Sequence, residues 1–254
     1  MVRYPFLDWP GPIPFAHQGA HRTGGPGENT MSAFEAAIEM GYRYIETDVH
    51  ATADGVLVAV HDDTLDRVTD RSGEIGRMPW SEVRRARVAG AEPVPLLEDL
   101  LGLWPDVRVN IDPKHDAAVE PLVEAIRRTG AIDRVCIGAF SDRRLARVRA
   151  LLGPRLCTSM GPRQVARLVA ASRGIPAGRF TAACVQVPTR RGRVPLVTAR
   201  FLDAAHVRGL PVHVWTINDS GQMGQLLELG VDGIMTDVPD VLKQVLDERS
   251  LWTS

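Results

Sequence analysis

The chain has 254 residues, of which 44% are hydrophobic, 24% charged and 6% aromatic. That length suits one large barrel or two modest domains, and the composition excludes a disordered or disulfide-scaffold protein. Thirty basic against 31 acidic residues leave a net charge of −1, so no global field directs the chain to nucleic acid or to an anionic membrane surface. Any anion it binds has to be held locally. Lys114 and Lys243 are its only lysines among many arginines, which singles out each of them for inspection.

Cys136, Cys157 and Cys184 lie far apart in apolar stretches, the pattern of buried free thiols in a reducing compartment. The N-terminal stretch is interrupted by Pro5, Asp8, Pro10 and Pro12, unlike a secretory leader. No run approaches the ~18 apolar residues of a membrane span. A cytoplasmic protein without stable membrane insertion or a nucleic-acid partner is the expectation.

In chain order, short apolar runs at 13–17, 43–49, 107–112, 134–140, 155–159, 182–187, 211–217 and 233–236 read as strands. Helical periodicity follows each, at 30–40, 80–88 with 95–103, 116–129, 142–152, 162–172, 198–208, 220–229 and 239–248. Gly41, Gly130, Gly153, Gly209 and Gly230 stand where helices end. Eight βα units in one chain predict an α/β fold of the TIM (β/α)8 barrel type, read as a single domain over 1–254. A doubly wound open sheet is the alternative, but Gly24-Gly-Pro-Gly27 matches neither of its usual phosphate loops. Segment 51–95 interrupts the rhythm with the β-like run Gly55–His61 and is read as an elaborated second βα loop. The proline and arginine cluster at 186–195 is read as another loop.

Barrel active sites form at the C-terminal ends of the strands, and polar residues gather there. His17 ends the first strand, Glu46 and Asp48 lie on the second, His61 follows it, and Asp112 with Lys114 closes the third. Trp215 and Asn218 belong to the seventh strand's end and Asp237 to the eighth. Side chains two apart share a face, so Glu46 and Asp48 point to one mouth, and Asp112 joins them. Such a cluster must take up protons or bind a cation; all-oxygen ligands favour a hard divalent ion, Mg²⁺ or Ca²⁺, with Mn²⁺ as a third choice. The other reading is that these acids cap helices or pair with arginines. His17 and His61 flanking a cation suggest a general acid and base; each taken singly is as well explained by a structural role. His50 continues the inward face of Glu46 and Asp48 and is expected to be structural.

These residues fall within longer motifs: Phe15-Ala-His-Gln-Gly19, Gly27-Glu-Asn-Thr-Met31, Tyr44-Ile-Glu-Thr-Asp-Val49, Asp54-Gly-Val-Leu-Val-Ala-Val-His-Asp-Asp63 with Thr64-Leu-Asp-Arg67, Val109-Asn-Ile-Asp-Pro-Lys114, Val214-Trp-Thr-Ile-Asn218 and Gly233-Ile-Met-Thr-Asp237. In that order the chain resembles the glycerophosphodiester phosphodiesterase family, whose fold is a TIM barrel with a small insertion after the second strand. The resemblance implies metal-dependent hydrolysis of a small-molecule glycerophosphodiester to glycerol 3-phosphate and an alcohol. It makes His17 and His61 the catalytic pair and Glu46, Asp48 and Asp112 the ligands of one divalent cation. The family usually has glutamate at the last of these. Lys114 then contacts phosphate, Glu28 and Asn29 complete the mouth, and Trp215 walls the glycerol. The family's arginine after the first histidine is replaced by Gln18, an amide without charge, and Arg22 is the candidate to replace it. Aligning His21-Arg22 with the motif instead is disfavoured, because His17 directly ends the apolar strand. Two other readings stand beside hydrolysis of small diesters: a weakened barrel that only binds a phosphodiester, and a lysophospholipase D-like activity. The second is disfavoured by the lack of an obvious amphipathic membrane helix.

Overall fold

The computed structural model describes residues 4–21, 25 and 27–253. Eight parallel strands form its centre: β1 Ile13–His17, β2 Tyr44–Ala51, β3 Arg108–Pro113, β4 Val135–Ile137, β5 Cys157–Thr158, β6 Val185–Pro188, β7 Val212–Trp215 and β8 Gly233–Thr236. They pair in the order β5-β4-β3-β2-β1-β8-β7-β6. The two ends meet through a parallel bridge between Ser159 and Cys184, where the Ala183 amide donates to Thr158 O at 2.8 Å and the Met160 amide to Cys184 O at 3.0 Å. The fold is therefore a TIM barrel, as the alternation of strand and helix predicts.

The helices are α1 Met31–Glu39, α2 Leu97–Leu103, α3 Val119–Arg128, α4 Asp142–Leu152, α5 Pro162–Ala171, α6 Ala199–His206, α7 Ser220–Leu229 and α8 Pro239–Asp247. Four begin at a residue whose side chain accepts a backbone amide of the first turn: Thr30, Ser141, Thr198 and Asp219. Their apolar faces cover the outward residues of the strands. One shell joins Phe34, Leu97, Leu122 and Leu145 to Ile45, Val109 and Ile137, and a second joins Phe201, Met223 and Leu242 to Val185, Val214 and Ile234.

The inward residues of the N-terminal half of the barrel pack as Phe15, Tyr44, Cys136, Cys157, Cys184 and Met235. The segment Tyr4–Trp9 plugs that end: Phe6 meets the Tyr44 ring edge-on at 5.3 Å, and Tyr44 OH donates to Phe6 O at 2.7 Å. The opposite end is left open for the polar residues.

Two local expectations are corrected. The stretch 80–88 is not one helix: Trp80–Val83 makes a single helical turn, and Arg87–Val88 then pairs as a strand with Glu92–Pro93. Its apolar residues Val83, Ala86 and Val88 pack with Val58, Leu65 and Ile75 in a small separate core, so burial rather than helical periodicity sets their spacing. The 186–195 stretch is not irregular, because Arg190–Arg191 and Val194–Pro195 form an antiparallel hairpin. Within Gly55–His61, Leu57–Ala59 is a strand antiparallel to β2. Among the described residues no helix is long and apolar enough to cross a membrane.

Candidate active site

At the C-terminal ends of the strands a cavity of about 920 Å³ is lined by His17, Glu46, Asp48, His61, Asp112, Lys114 and Trp215 among others. The pairing register explains the convergence. His17 is level with Glu46 across β1 and β2, and Asp48 is level with Asp112 across β2 and β3. The turn after β1 is shaped for close contact with α1: Gly19 has φ +84°, and a Cβ there would lie 2.7 Å from the Ala33 backbone.

His17 is held between two carboxylates. Its Nδ1 is 2.6 Å from Asp237 Oδ1 and its Nε2 is 3.5 Å from Glu46 Oε2. Burial alone would lower the imidazolium, but Glu46 and then Asp237 outweigh it and hold His17 up at about 9. Asp237 moves oppositely: burial is overcome by hydrogen bonds from His17, His21 and Asn218, which keep its carboxyl far below the usual range.

Glu46 is pushed up to about 8, first by burial and then by the charge of Asp48. Asp48 is fully engaged, accepting from Gln18 Nε2 at 2.9 Å on Oδ2 and facing Lys114 Nζ at 2.6 Å on Oδ1. Lys114 also reaches Asp112 Oδ2 at 3.3 Å. Burial works against the lysine's charge, but Asp48 and Asp112 more than compensate and raise it. Asp112 is raised by burial, with Lys114 opposing.

Two buried oxygens in this cluster, Glu46 Oε2 and Asp112 Oδ1, have no hydrogen-bond partner, a costly state that a bound cation removes. His17, Glu46 and Asp48 each present a ligand atom within 4.8 Å of the others. Asp112 lies outside that group, with Lys114 between it and Asp48. The donor set is oxygen-rich, contains no thiolate and suits a hard divalent cation.

His61 stands on the loop after Leu57–Ala59, with Nδ1 2.7 Å from Asp62 Oδ1. Arg67 fixes that loop: its Nε donates to Asp62 at 2.6 Å, and Nη1 and Nη2 grip both oxygens of Glu28 at 2.8 and 2.6 Å. Glu28 is thus spent on Arg67. Asn29 accepts from Thr47 Oγ1 at 2.6 Å beneath the mouth. Gln18 and Asn29, both buried, have the left-handed backbone values φ 57° and 54°, which fold the first βα loop onto β2. Trp215 lines the cavity with its ring edge-on to Phe140 at 5.6 Å. His50 is buried with Nε2 3.1 Å from His61 O and supports the His61 loop. Arg22 lies outside the described residues.

Three partners were not assigned roles from sequence. Asp237 and Arg67 act on His17 and Asp62, and Gln186 donates to Asn110 at 2.8 Å in the cavity floor. Asp237 carries a signal, being the polar residue that ends the eighth strand; Arg67 carries one too, closing the Thr64-Leu-Asp-Arg67 segment of the family resemblance, although its partners are not readable from it.

The open end of the barrel thus brings His17, His61 and a buried acidic cluster to one cavity. Residues 17–241 match the Glycerophosphoryl diester phosphodiesterase family, and the chain belongs to that family and is an enzyme of its class. It is 42% identical, over 97% of this chain and 95% of the relative, to a probable glycerophosphodiester phosphodiesterase 2 of Mycobacterium tuberculosis. A human lysophospholipase D is 25% identical over 91% of this chain and 86% of its own. The crystal structure of a glycerophosphodiester phosphodiesterase from Agrobacterium tumefaciens superposes with a TM-score of 0.74, at 26% identity, covering 93% of this chain and 99% of the other.

Proposed function

We propose that the enzyme hydrolyses glycerophosphodiesters to glycerol 3-phosphate and an alcohol with one divalent cation, Mg²⁺ or Ca²⁺, held by Glu46, Asp48 and Asp112. The observation that carries this reading is the pair of buried oxygens without a hydrogen bond, Glu46 Oε2 and Asp112 Oδ1, on residues that line a common cavity. When bound, the cation neutralises phosphate charge and polarises the phosphorus centre. Lys114 adds a positive charge from the third strand. His17, with Nδ1 fixed by Asp237, presents Nε2 as the atom that gives a proton to the leaving alkoxide. His61, tied through Nδ1 to Asp62, keeps Nε2 for the proton of the attacking hydroxyl. Trp215 offers its face to the glycerol carbons.

Activity on glycerophosphocholine should disappear in chelator and return with Mg²⁺ or Ca²⁺, and Asp48→Asn should remain inactive while folded. Full turnover of Asp48→Asn in chelator would overturn the cation reading. Binding of the diester without any turnover in either metal would make the barrel a phosphodiester-binding protein instead.

The cavity supports a second substrate class. Beyond the acidic cluster it continues along Phe140, Met160, Val165, Val169, Leu196 and Phe201, far more apolar wall than a glycerol and a small alcohol cover. A lysophospholipid fits this shape, with its acyl chain against α5 and α6. Release of free head group from lysophosphatidylcholine tests this; no release, alongside normal glycerophosphocholine turnover, removes it.

A further inference from the structure

A second cluster of metal-ligating side chains sits one layer below the active site. Gly138, Ser159 and Gln186 line the cavity floor, and two residues before each of them stands a cysteine: Cys136 on β4, Cys157 on β5 and Cys184 beside β6. Side chains two apart on a strand share a face, so the three thiols point into the barrel just beneath the floor. Cys136 and Cys157 are level with each other in the sheet. All three are buried and unbridged, and their sulfurs lie within 4.8 Å of one another. Cys136 Sγ and Cys184 Sγ are 3.9 Å apart. Zinc–sulfur bonds of about 2.3 Å at tetrahedral angles place thiolates roughly 3.8 Å apart.

A second observation comes from His213. It is fully buried, its Nε2 has no hydrogen-bond partner, and its Nδ1 stands 3.5 Å from the side-chain nitrogen of Gln186, two residues beyond Cys184. Its ring fits because position 233 is glycine: a Cβ there would lie 2.9 Å from His213 Cδ2. The Arg149 guanidinium lies beside β5, donating to Thr158 Oγ1 at 2.8 Å and to Ser159 O at 3.1 Å.

We propose that Cys136, Cys157 and Cys184, with His213 at the edge of the cluster, form a structural site for a thiophilic divalent cation of the zinc type. Its sulfur ligands are as distinct from the oxygen ligands above the floor as soft ions are from hard ones. Three thiolates and a divalent ion carry one net negative charge, with the Arg149 guanidinium hydrogen-bonded to the neighbouring Thr158 and Ser159. The thiols release their protons as the ion binds.

The position suggests what such an ion does. β5 has only two residues, and it meets β6 through the single bridge Ser159–Cys184. This is the seam at which the barrel closes, and a cation held by β4, β5 and β6 together ties it.

The test is to produce the whole protein in medium where Co²⁺ replaces zinc, and to record its near-ultraviolet spectrum. Bound thiolates give a sulfur-to-cobalt charge-transfer band, and the carboxylate cluster, having no sulfur, gives none. The result is therefore independent of whether the catalytic cation reading stands. The band should appear with roughly one cobalt per chain. It should persist in Asp48→Asn, vanish in Cys184→Ala, and be accompanied in the wild type by a higher thermal midpoint than the metal-free chain. Should Cys184→Ala fail to fold, the wild-type spectrum and Cys136→Ala serve in its place. Absence of the band in the wild type, or a Cys136–Cys184 disulfide in the mass of the purified protein, overturns the proposal.

Discussion

Asp237 Oδ1 stands 2.6 Å from His17 Nδ1, and that contact decides which nitrogen is free for chemistry. With the Nδ1 proton committed to a carboxylate, the imidazole keeps one orientation and exchanges protons through Nε2. General acid–base catalysis contributes ~10²–10⁴-fold, so His17→Ala should lower kcat by that order. Asp237→Asn should lower kcat with little change in KM, because it disturbs orientation and tautomer rather than substrate contact; an unchanged kcat would show that His17 needs no orienting partner. Gln18 raises a different question. Its amide donates to Asp48 Oδ2, which places it against that carboxylate. Partners of metal ligands are typically worth about 10–100-fold in affinity or activity, and Gln18→Ala should weaken cation binding by that factor in calorimetry. Equal cation affinity in the variant would make the contact incidental. The residues that line the polar end of the cavity were legible in the sequence because they end strands at regular intervals. Their partners were not, since Asp237 is 220 residues from His17 and Arg67 is 39 from Glu28.

At the scale of elements, the loop carrying His61 depends on a clamp rather than on regular structure. Arg67 joins Asp62 to Glu28, and thus the loop after β2 to the loop after β1. Hydrogen bonds from Arg67 outweigh partial burial and hold the Asp62 carboxyl at about 2, against its ordinary 3.8. The sign follows from this depression: the clamp's stabilisation is complete above the ordinary value and is lost as pH falls through the folded one. Carboxyl NMR at about pH 3 should find Asp62 ionised in the wild type and largely protonated in Arg67→Ala. The same variant should lower kcat through a loosened His61. Wild-type titration of Asp62 in Arg67→Ala would mean that the clamp does not hold the loop. Strands and long helices were readable from periodicity because both faces of the sheet are buried and the helices are amphipathic. The 80–88 stretch misled for the same reason, since a small core beneath a loop also spaces apolar residues regularly. The thiol cluster was invisible in the sequence, because only closure of the barrel brings Cys136, Cys157 and Cys184 together.

At the scale of the whole molecule, the barrel joins two unlike surfaces in one cavity: the polar ends of β1 to β3 on one side, and an apolar wall of α5, α6 and the Arg190–Pro195 hairpin on the other. Pro162, Val165, Ala166 and Val169 all face the cavity from α5, at the spacing of one helical face. Phe140 and Val194, 70% and 59% exposed, stand at its margin. Such a wall discriminates by hydrocarbon content: each buried methylene is worth about 0.8 kcal/mol, or roughly fourfold in kcat/KM. A series of lysophospholipids of increasing chain length should therefore gain by up to that factor per methylene until the wall is covered. Ala166 is exposed to the cavity on an outer helix, where a larger side chain costs the fold little. Ala166→Trp should cut kcat/KM for the long-chain substrates by tenfold or more, as about two methylenes' worth of wall is lost. It should leave glycerophosphocholine turnover intact, because the phosphate, the histidines and the carboxylates lie at the other end. A flat chain-length series in the wild type, or an equal loss on both substrates in the variant, would mean that the apolar wall serves the packing of the barrel and not the choice of substrate.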